Sequence, residues 1–419
     1  MKRQLPLLLL QPPGSCREFT RSGSCYPPLG LCQLAAMVDE SDVFILDADG
    51  LQLSKEETIE RICEINPIAI GMTLTTYTFD MISEYSKPLC DLGFKIIIGG
   101  PQASLDPKGT IEKLPSCDWV FCGEAELQMR EIINGIKEND LSGIKGICFE
   151  QNGELIISEK VIVENLGEIP FPTFDGLPIE AYWCPDAINR PMLNFMTTRG
   201  CPHRCGFCSS PALLGRKLRR WSTGKVVDEI EYLVNKFGIK EFSFVDDVFT
   251  IDKNRLNRIC ELIIEKKLDI TWFCNSRADQ INEETAILSA KAGCHQMYLG
   301  FESGHEKIIK LINKDTTIER LEEGAEILRK AGIGRSIGFV IGLPGENEET
   351  IQATIDIVNR VKPERVQFTR WTPLVASPLF DQAKCRDSTF HNGGSDEVSG
   401  WISKLYDSVK DKEWGAASW

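Results

Sequence analysis

Short apolar runs alternate with helical stretches along almost the whole chain, and the alternation breaks once, at a segment dense in proline. Before the break, Leu7-Leu-Leu-Leu10, Val43-Phe-Ile-Leu-Asp47, Ile68-Ala-Ile-Gly-Met72, Lys95-Ile-Ile-Ile-Gly99 and Trp119-Val-Phe-Cys122 read as buried strands bounded by turn residues. Helical stretches separate them at 30–40, 55–66, 79–92 and 110–114. This predicts a parallel sheet wrapped by helices. After the break, β-like runs cover 193–198, 241–245, 269–275, 296–301, 335–341 and 365–370, each with a helical stretch before the next. That spacing is of a repeated βα unit, which closes into a barrel or part of one. Either layout gathers ligands at the carboxyl ends of the strands.

A chain of 419 residues predicts two to three domains. We expect a first domain over 1–140 and a connector over 141–190. The connector holds a small hairpin turning at Asn152-Gly153, then Ile169-Pro-Phe-Pro-Thr-Phe-Asp-Gly-Leu-Pro178. A second domain follows over 191–379, and a short tail over 380–419. In the tail, 387–399 reads as polar and mobile, and Trp401 to Trp414 as one amphipathic helix. Sixteen scattered cysteines predict reduced thiols in a cytoplasm. The leucine run after Met1 is too short for an export signal and is broken by Pro6, and no stretch spans a membrane. A net charge of −14 argues against general nucleic-acid binding. One basic run, Arg216-Lys-Leu-Arg-Arg220, reads as a solvated loop or as a clamp for an anionic ligand.

Cys201, Cys205 and Cys208 share one short loop with C-x3-C-x2-C spacing. That is one thiolate too few for a closed tetrahedral zinc site or a fully ligated 4Fe–4S cluster. Three such ligands hold three irons of a cubane and leave the fourth open for substrate. A zinc knuckle using His203 and a disulfide with a spare thiol are the competing readings. Other unusual residues also stand at strand ends: Asp246-Asp247, Arg277, Glu302, Gly342-Leu-Pro-Gly345 and Trp371-Thr-Pro. A carboxylate suits an ammonium or ribose hydroxyls, and Arg suits a carboxylate. Glu302 or Arg277 also fits a buried ion pair bracing the barrel, and Asp246-Asp247 a helix cap. In the first domain Thr73, Thr75 and Thr76, then Gly99 and Gly100, then Gly123 and Glu124 follow strands and are candidate ligand contacts.

The cysteine loop resembles that of the radical S-adenosylmethionine (SAM) enzymes, and the resemblance covers about Met192 to Leu379. Carried over position by position, it implies that Phe207 packs near the adenine. Asp246 and Asp247 would meet the methionine amino group, and Arg277 and Glu302 the carboxylate or ribose. Gly342 lies in the turn that supports the adenine. The first domain is similar to the cobalamin-binding domain fused ahead of such enzymes. The pieces that carry this are Pro12-Pro13, Pro27-Pro-Leu-Gly30, Gly71-Met-Thr-Leu-Thr-Thr76, Gly99-Gly-Pro101 and Gly123-Glu124. One departure stands out. The loop that would supply a histidine to cobalt reads Asp47-Ala-Asp-Gly-Leu-Gln52, and no histidine precedes His203. A histidine of this domain therefore is not the lower ligand. A Rossmann-like domain that has lost its ligand and serves as a substrate lid is the competing reading.

The fold expected is α/β: a Rossmann-like (flavodoxin-like) cobalamin-binding domain, then a radical SAM partial (β/α)6 TIM barrel. The resemblance implies a 4Fe–4S cluster, SAM and cobalamin. It implies methyl transfer to an unactivated carbon of a small-molecule, lipid or natural-product substrate, through a 5′-deoxyadenosyl radical and methylcobalamin. It also implies an external one-electron reductant such as flavodoxin or ferredoxin. A cobalamin-assisted cyclase or carbon–carbon coupling enzyme uses the same cofactors. A non-catalytic iron–sulfur or zinc-binding regulator is the alternative from another class. A tRNA methylthiotransferase fits poorly, because the charge is acidic and no basic tail follows.

Overall fold

The computed structural model describes residues 4–15, 24–381, 396–410, 412 and 417–418. The stretch 387–395, His391 within it, and Trp414 lie outside the described residues. The chain forms two compact units, Met1–Pro185 with Arg190–Asn194, and Asp186–Asn189 with Phe195–Trp419.

In the first unit the elements run β1 (Leu7–Gln11), α1 (Leu29–Ala35), β2 (Val43–Asp47), α2 (Lys55–Ile65), β3 (Ala69–Thr73), α3 (Phe79–Asp91) and β4 (Lys95–Gly99). They continue as α4 (Pro101–Leu105), α5 (Pro107–Lys113), β5 (Trp119–Phe121), α6 (Met129–Glu138), β6 (Ile147–Gln151) and β7 (Glu154–Ile156). The sheet order is β2-β1-β3-β4-β5-β6-β7, and β1 to β5 are parallel. The all-leucine β1 follows from its place: it bonds β2 and β3 on its two edges and is covered on both faces. Leu8 and Leu10 pack with Ile70, Met72 and Ile98 on one side, Leu7 and Leu9 with Ala69, Ile97 and Phe121 on the other. The order reverses between β1 and β3, the switch point where open α/β sheets bind ligands.

One local reading changes. The hairpin, read as part of the connector, adds antiparallel strands to this sheet, with Val120 opposite Cys148. Its turn residues Asn152 and Gly153 both have positive φ, as the type I′ turn requires. The run from Gly99 to Ser104, expected to follow β4 as a ligand contact, enters α4 at Pro101, since proline is preset for the first helical position.

The second unit begins at the end of β8 (Met192–Phe195). It continues through β9 (Thr198–Arg199), α7 (Ser210–Leu214), β10 (Arg219–Arg220), α8 (Thr223–Phe237), β11 (Glu241–Phe244), α9 (Lys253–Glu265) and β12 (Thr271–Ser276). Then come α10 (Glu283–Lys291), β13 (Cys294–Glu302), α11 (Glu306–Leu311), α12 (Ile318–Lys330), β14 (Gly334–Ile341), α13 (Glu348–Val361), β15 (Arg365–Arg370), α14 (Asp396–Val409) and β16 (Ala417–Ser418). The parallel sheet runs β16-β15-β14-β13-β12-β11, and Phe195 adjoins β11 through its carbonyl, which accepts the Val245 N–H at 3.0 Å. Among the described residues this sheet is open, a partial barrel rather than a closed one. β16 is an edge strand that the sequence reading did not include.

An aromatic core fills the unit: Phe195, Phe242, Phe244, Phe249 and Trp272 meet edge-on or stacked. At the amino ends of the strands lies a polar network. Buried Glu241 accepts the Ile188 and Asn189 N–H groups and the Thr271 hydroxyl, and hydrogen-bonds His295. Beside it Arg335 pairs with Glu364, and Asp186 takes Gln296 and Arg365. The tail helix α14 seats Trp401, Leu405 and Val409 in the unit, and Trp401 donates to Glu348. Among the described residues no helix is long and apolar enough to cross a membrane.

Candidate functional site

The cysteine loop is held from three directions. It leaves β9 and returns in β10, and these two strands pair antiparallel, Arg199 opposite Arg219. Gly200, at φ +98°, lets the backbone turn there, because a Cβ would strike the Lys217 carbonyl. The Cys201 N–H bonds the Gly215 carbonyl at 3.1 Å, and the Gly206 N–H bonds the Ile312 carbonyl at 2.6 Å. The Leu379 N–H closes on the Gly206 carbonyl at 2.8 Å.

Cys201 is buried, Cys205 and Cys208 are partly so, and all are free thiols. The Ser210 N–H reaches Cys208 Sγ at 3.4 Å, and an Arg277 N–H reaches Cys205 Sγ at 3.7 Å. Burial pushes the Cys201 thiol up and the Cys208 thiol up to about 12. Thiolates here therefore need a cationic partner, and N–H donors at sulfur favour the charged form. Among the described residues no group of three or more His, Cys, Asp or Glu is arranged to hold a metal ion. Three thiols on one loop, two with N–H donors at sulfur, fit a cluster bound at three irons. His203 is half-buried on the same loop, and its Nε2 has no hydrogen-bond partner. Phe207 is half-buried between the last two cysteines.

Around this loop the predicted residues divide. Asp246 is fully buried and fully occupied. It accepts the Thr197 N–H at 2.5 Å and the Thr197 and Thr198 hydroxyls at 2.6 and 2.8 Å. Arg255 braces the same segment through Thr197. Asp247 instead is exposed and accepts the Ser210 hydroxyl at 2.6 Å. Neither caps the next helix; Asp252 does, accepting the Arg255 N–H. Arg277 is 5% exposed and forks onto Asp279 at 3.0 and 2.9 Å, with a third bond to the Lys314 carbonyl at 2.6 Å.

Glu302 ends β13 at a register shift, with φ +70°, a conformation rare outside glycine. Its Oε1 pairs with the buried Lys314 ammonium at 2.9 Å, and Gly300 leaves room for that pair, since a Cβ would collide with the carboxylate. The Gly342 and Leu343 N–H groups point at Glu346 Oε2, at 2.5 and 3.0 Å. Burial pushes Glu346 up to about 7, and its Oε1 has no partner. Sequence reasoning missed Lys314, Arg255, Ser210 and Glu346. Asp279 was within reach, two residues past Arg277.

In the first unit a cavity of about 180 Å³ opens at the switch point, lined by Gln11, Ser15, Leu29, Gly30, Thr73 and Thr75 among others. Thr75 bonds Thr78, and Thr76 donates to Gln102 at 2.9 Å. Gly99 faces open space, while Gly100, at φ +95°, packs on Thr73 and Leu74. Gly123 and Glu124 turn toward the connector instead: Gly123 lies against Val161, and the Glu124 carboxylate accepts the Val163 N–H at 2.7 Å.

These features define a class: a flavodoxin-like ligand-binding unit followed by a partial βα barrel with a three-cysteine loop. Residues 195–358 match the radical SAM superfamily, and 19–133 the B12 binding domain. The chain is 33% identical over 385 residues to an uncharacterized methyltransferase, PH0819, of Pyrococcus horikoshii, covering 90% of this chain and 83% of that one. It is 27% identical to an anaerobic magnesium-protoporphyrin IX monomethyl ester cyclase of Rubrivivax gelatinosus, over 85% of this chain and 66% of the cyclase. The chain thus spans slightly under two thirds of that relative. The solved structure of TsrM, a radical SAM methyltransferase of Kitasatospora setae with cobalamin and a 4Fe–4S cluster bound, superposes with a TM-score of 0.74. Identity there is 18%, over 91% of this chain and 75% of that one, a likeness of fold.

The chain belongs to the cobalamin-dependent radical SAM methyltransferase family. Its cofactors are the 4Fe–4S cluster, SAM and cobalamin. Enzymes of this superfamily draw on a reductant and act on small molecules.

Proposed function

We propose that this enzyme transfers a methyl group to an unactivated carbon of a small-molecule or lipid-like substrate in the cytoplasm, with flavodoxin or ferredoxin as reductant. The observation that supports this most is the three-thiol loop, anchored by backbone bonds on both sides and supplied with N–H donors at two sulfurs. When bound, the cluster supplies one electron to SAM and cobalamin carries the methyl group.

The chain's own residues do the positioning. Cys201, Cys205 and Cys208 hold the cluster. Arg277, fixed by Asp279 and the Lys314 carbonyl, lends Cys205 an N–H and keeps positive charge beside the thiolate. Glu302, Asp247, Phe207 and the Gly342 turn meet SAM. Lys314 orients the Glu302 carboxylate, and Asp246 fixes the Thr197–Thr198 entry to the loop. In the first unit Thr73, Thr75, Thr76, Gly99 and Gly100 face cobalamin at the switch point. Gly123 and Glu124 support that rim from the connector side.

Anaerobically reconstituted protein should hold about four irons per chain and cleave SAM under a chemical reductant. Cys205→Ala should abolish cleavage and leave the first unit folded. Stoichiometric zinc without iron sinks the proposal. A cyclase reading has one support, the relatedness to the magnesium-protoporphyrin ester cyclase. S-adenosylhomocysteine formed with each product separates the two, since only methyl transfer consumes SAM that way.

A further inference from the structure

The face of the second sheet that turns Arg277 toward the cysteine loop has a middle layer with no role in holding the cluster or SAM. Strand register places it. Asn275 on β12 lies opposite Tyr298 on β13, and Tyr298 opposite Ser336 on β14. Two residues further on, Gly338 lies opposite Gln367 on β15. Residues two apart share a face, so these side chains stand on the same side as Arg277. The Tyr298 ring leans over β14, where a Cβ on Gly338 would strike its hydroxyl. The layer lies below the SAM residues: Asn275 is two residues before Arg277, Tyr298 four before Glu302, and Ser336 six before Gly342.

β12, β13 and β14 are bonded on both edges, yet Asn275 and Tyr298 are only half-buried in mid-strand. The opposite face is closed by Phe301, Phe339 and Phe368, so the space they border is on this side. Interior polar groups are ordinarily paired. Among the described residues Tyr298, Ser336 and Gln367 make no side-chain hydrogen bond, and neither does Ser243 on the same face of β11. Ser243 and Ser336 are 6% and 4% exposed, so bulk water does not serve them. Asn275 makes one long bond, 3.4 Å to the Asp246 carbonyl. Burial and the carboxylates of Glu302 and Asp186 push the Tyr298 phenol up, so it stays a donor. Charge is confined to the margins. Arg277 and the Glu302–Lys314 pair stand toward the carboxyl ends, and Arg365 with Asp186 toward the amino ends. Between them the layer offers hydroxyls and amides.

We infer that this layer binds the substrate, and that the part held there is a neutral group bearing hydroxyls or amides, not an acyl chain or a porphyrin-like ring. The inference rests on the enzyme reading above and narrows its substrate class. An apolar group laid on these side chains would bury their donors and acceptors unpaired, at about 1–3 kcal/mol each. An ionised group would meet no counter-charge in the layer. A site built to hydrogen-bond its substrate rejects an analogue that lacks the partner groups.

The test uses the reconstituted full chain with SAM added, and ligand-detected NMR. Uridine and N-acetylglucosamine are the neutral hydrogen-bonding probes; 1-octanol and protoporphyrin IX are the apolar ones. At least one of the first two should bind saturably. The double variant Tyr298→Phe, Gln367→Leu keeps the volume and removes two bonding groups. It should bind that probe at least about fivefold more weakly, the worth of two neutral hydrogen bonds. Neither apolar probe should lose affinity in it, and SAM affinity should stay within about twofold, as for independent sites. Should the double variant fold poorly, Tyr298→Phe alone removes one hydroxyl that holds no bond, and the same weakening is read from it. No saturable binding by either neutral probe would mean that the layer holds water alone, and would overturn the inference. So would unchanged binding in the variants, or a loss of SAM affinity, which would assign these residues to the SAM site. Parent protein that binds a neutral probe in this variant-sensitive way but holds no iron and cleaves no SAM upholds the polar layer and counts against the enzyme reading instead.

Discussion

Glu302 carries two demands at once. Its backbone sits in the left-handed region and its carboxylate holds a buried ammonium. Glu302→Gln keeps the shape and leaves Lys314 without its counter-charge, so unfolding free energy without SAM should drop by about 3–5 kcal/mol. SAM affinity of the folded protein should also fall about tenfold, the worth of one charge-assisted hydrogen bond. Lost stability with unchanged affinity would leave Glu302 as a brace only. Glu346 makes a different forecast. Burial raises its carboxyl to about 7 from 4.5. The folded chain then keeps a proton that the unfolded chain has lost. That contribution to stability is therefore present below pH 4.5 and disappears as pH rises through about 7. Glu346→Gln should flatten the urea midpoint between about pH 5 and about pH 8. A slope equal to the parent's would mean that the carboxyl is solvated. Residue types at strand ends were legible in the sequence; their partners were not. Nothing in the spacing says that Asp246 spends its oxygens on Thr197 and Thr198, or that Glu302 reaches Lys314 across an intervening helix. Those are matters of side-chain direction, which only the folded backbone sets.

Elements were easier to read than partners, because burial on both faces leaves a plain signature. β1, β3 and β4 are apolar without alternation, and the structure places them centrally. The hairpin of β6 and β7 was recognised by its Asn-Gly turn, but its attachment to β5 was invisible, since a strand's distant partner is not encoded locally. The tail helix was legible in part. α14 begins at Asp396, before the amphipathic stretch at Trp401, and its apolar stripe seats Leu405 with no exposure. Tyr406 meets Phe368 edge-on, 5.0 Å between ring centroids. Leu405→Ala should therefore cost about 2–5 kcal/mol, as cavity-forming core truncations do. Chemical denaturation measures it. A loss below about 0.5 kcal/mol, the range of surface substitutions, would show that the helix adds nothing to the core.

For the molecule as a whole, we expect cobalamin to bind without a histidine from the protein. The first unit has none. His295 is committed to Glu241, and His305 caps α11 through the Lys307 N–H. His203 lies on the cysteine loop. Paramagnetic spectra of protein loaded with cob(II)alamin should thus lack nitrogen coupling from a protein imidazole, and the appearance of such coupling would refute the assignment. A last consequence comes from the two ends of the second sheet. The proposed chemistry stands at the carboxyl ends, whereas Glu241, Arg335 and Asp186 knit the amino ends. An engineer who wants a hardier catalyst would look first to that lower rim, keeping its buried pairs whole, because it lies at the opposite strand ends from the proposed chemistry.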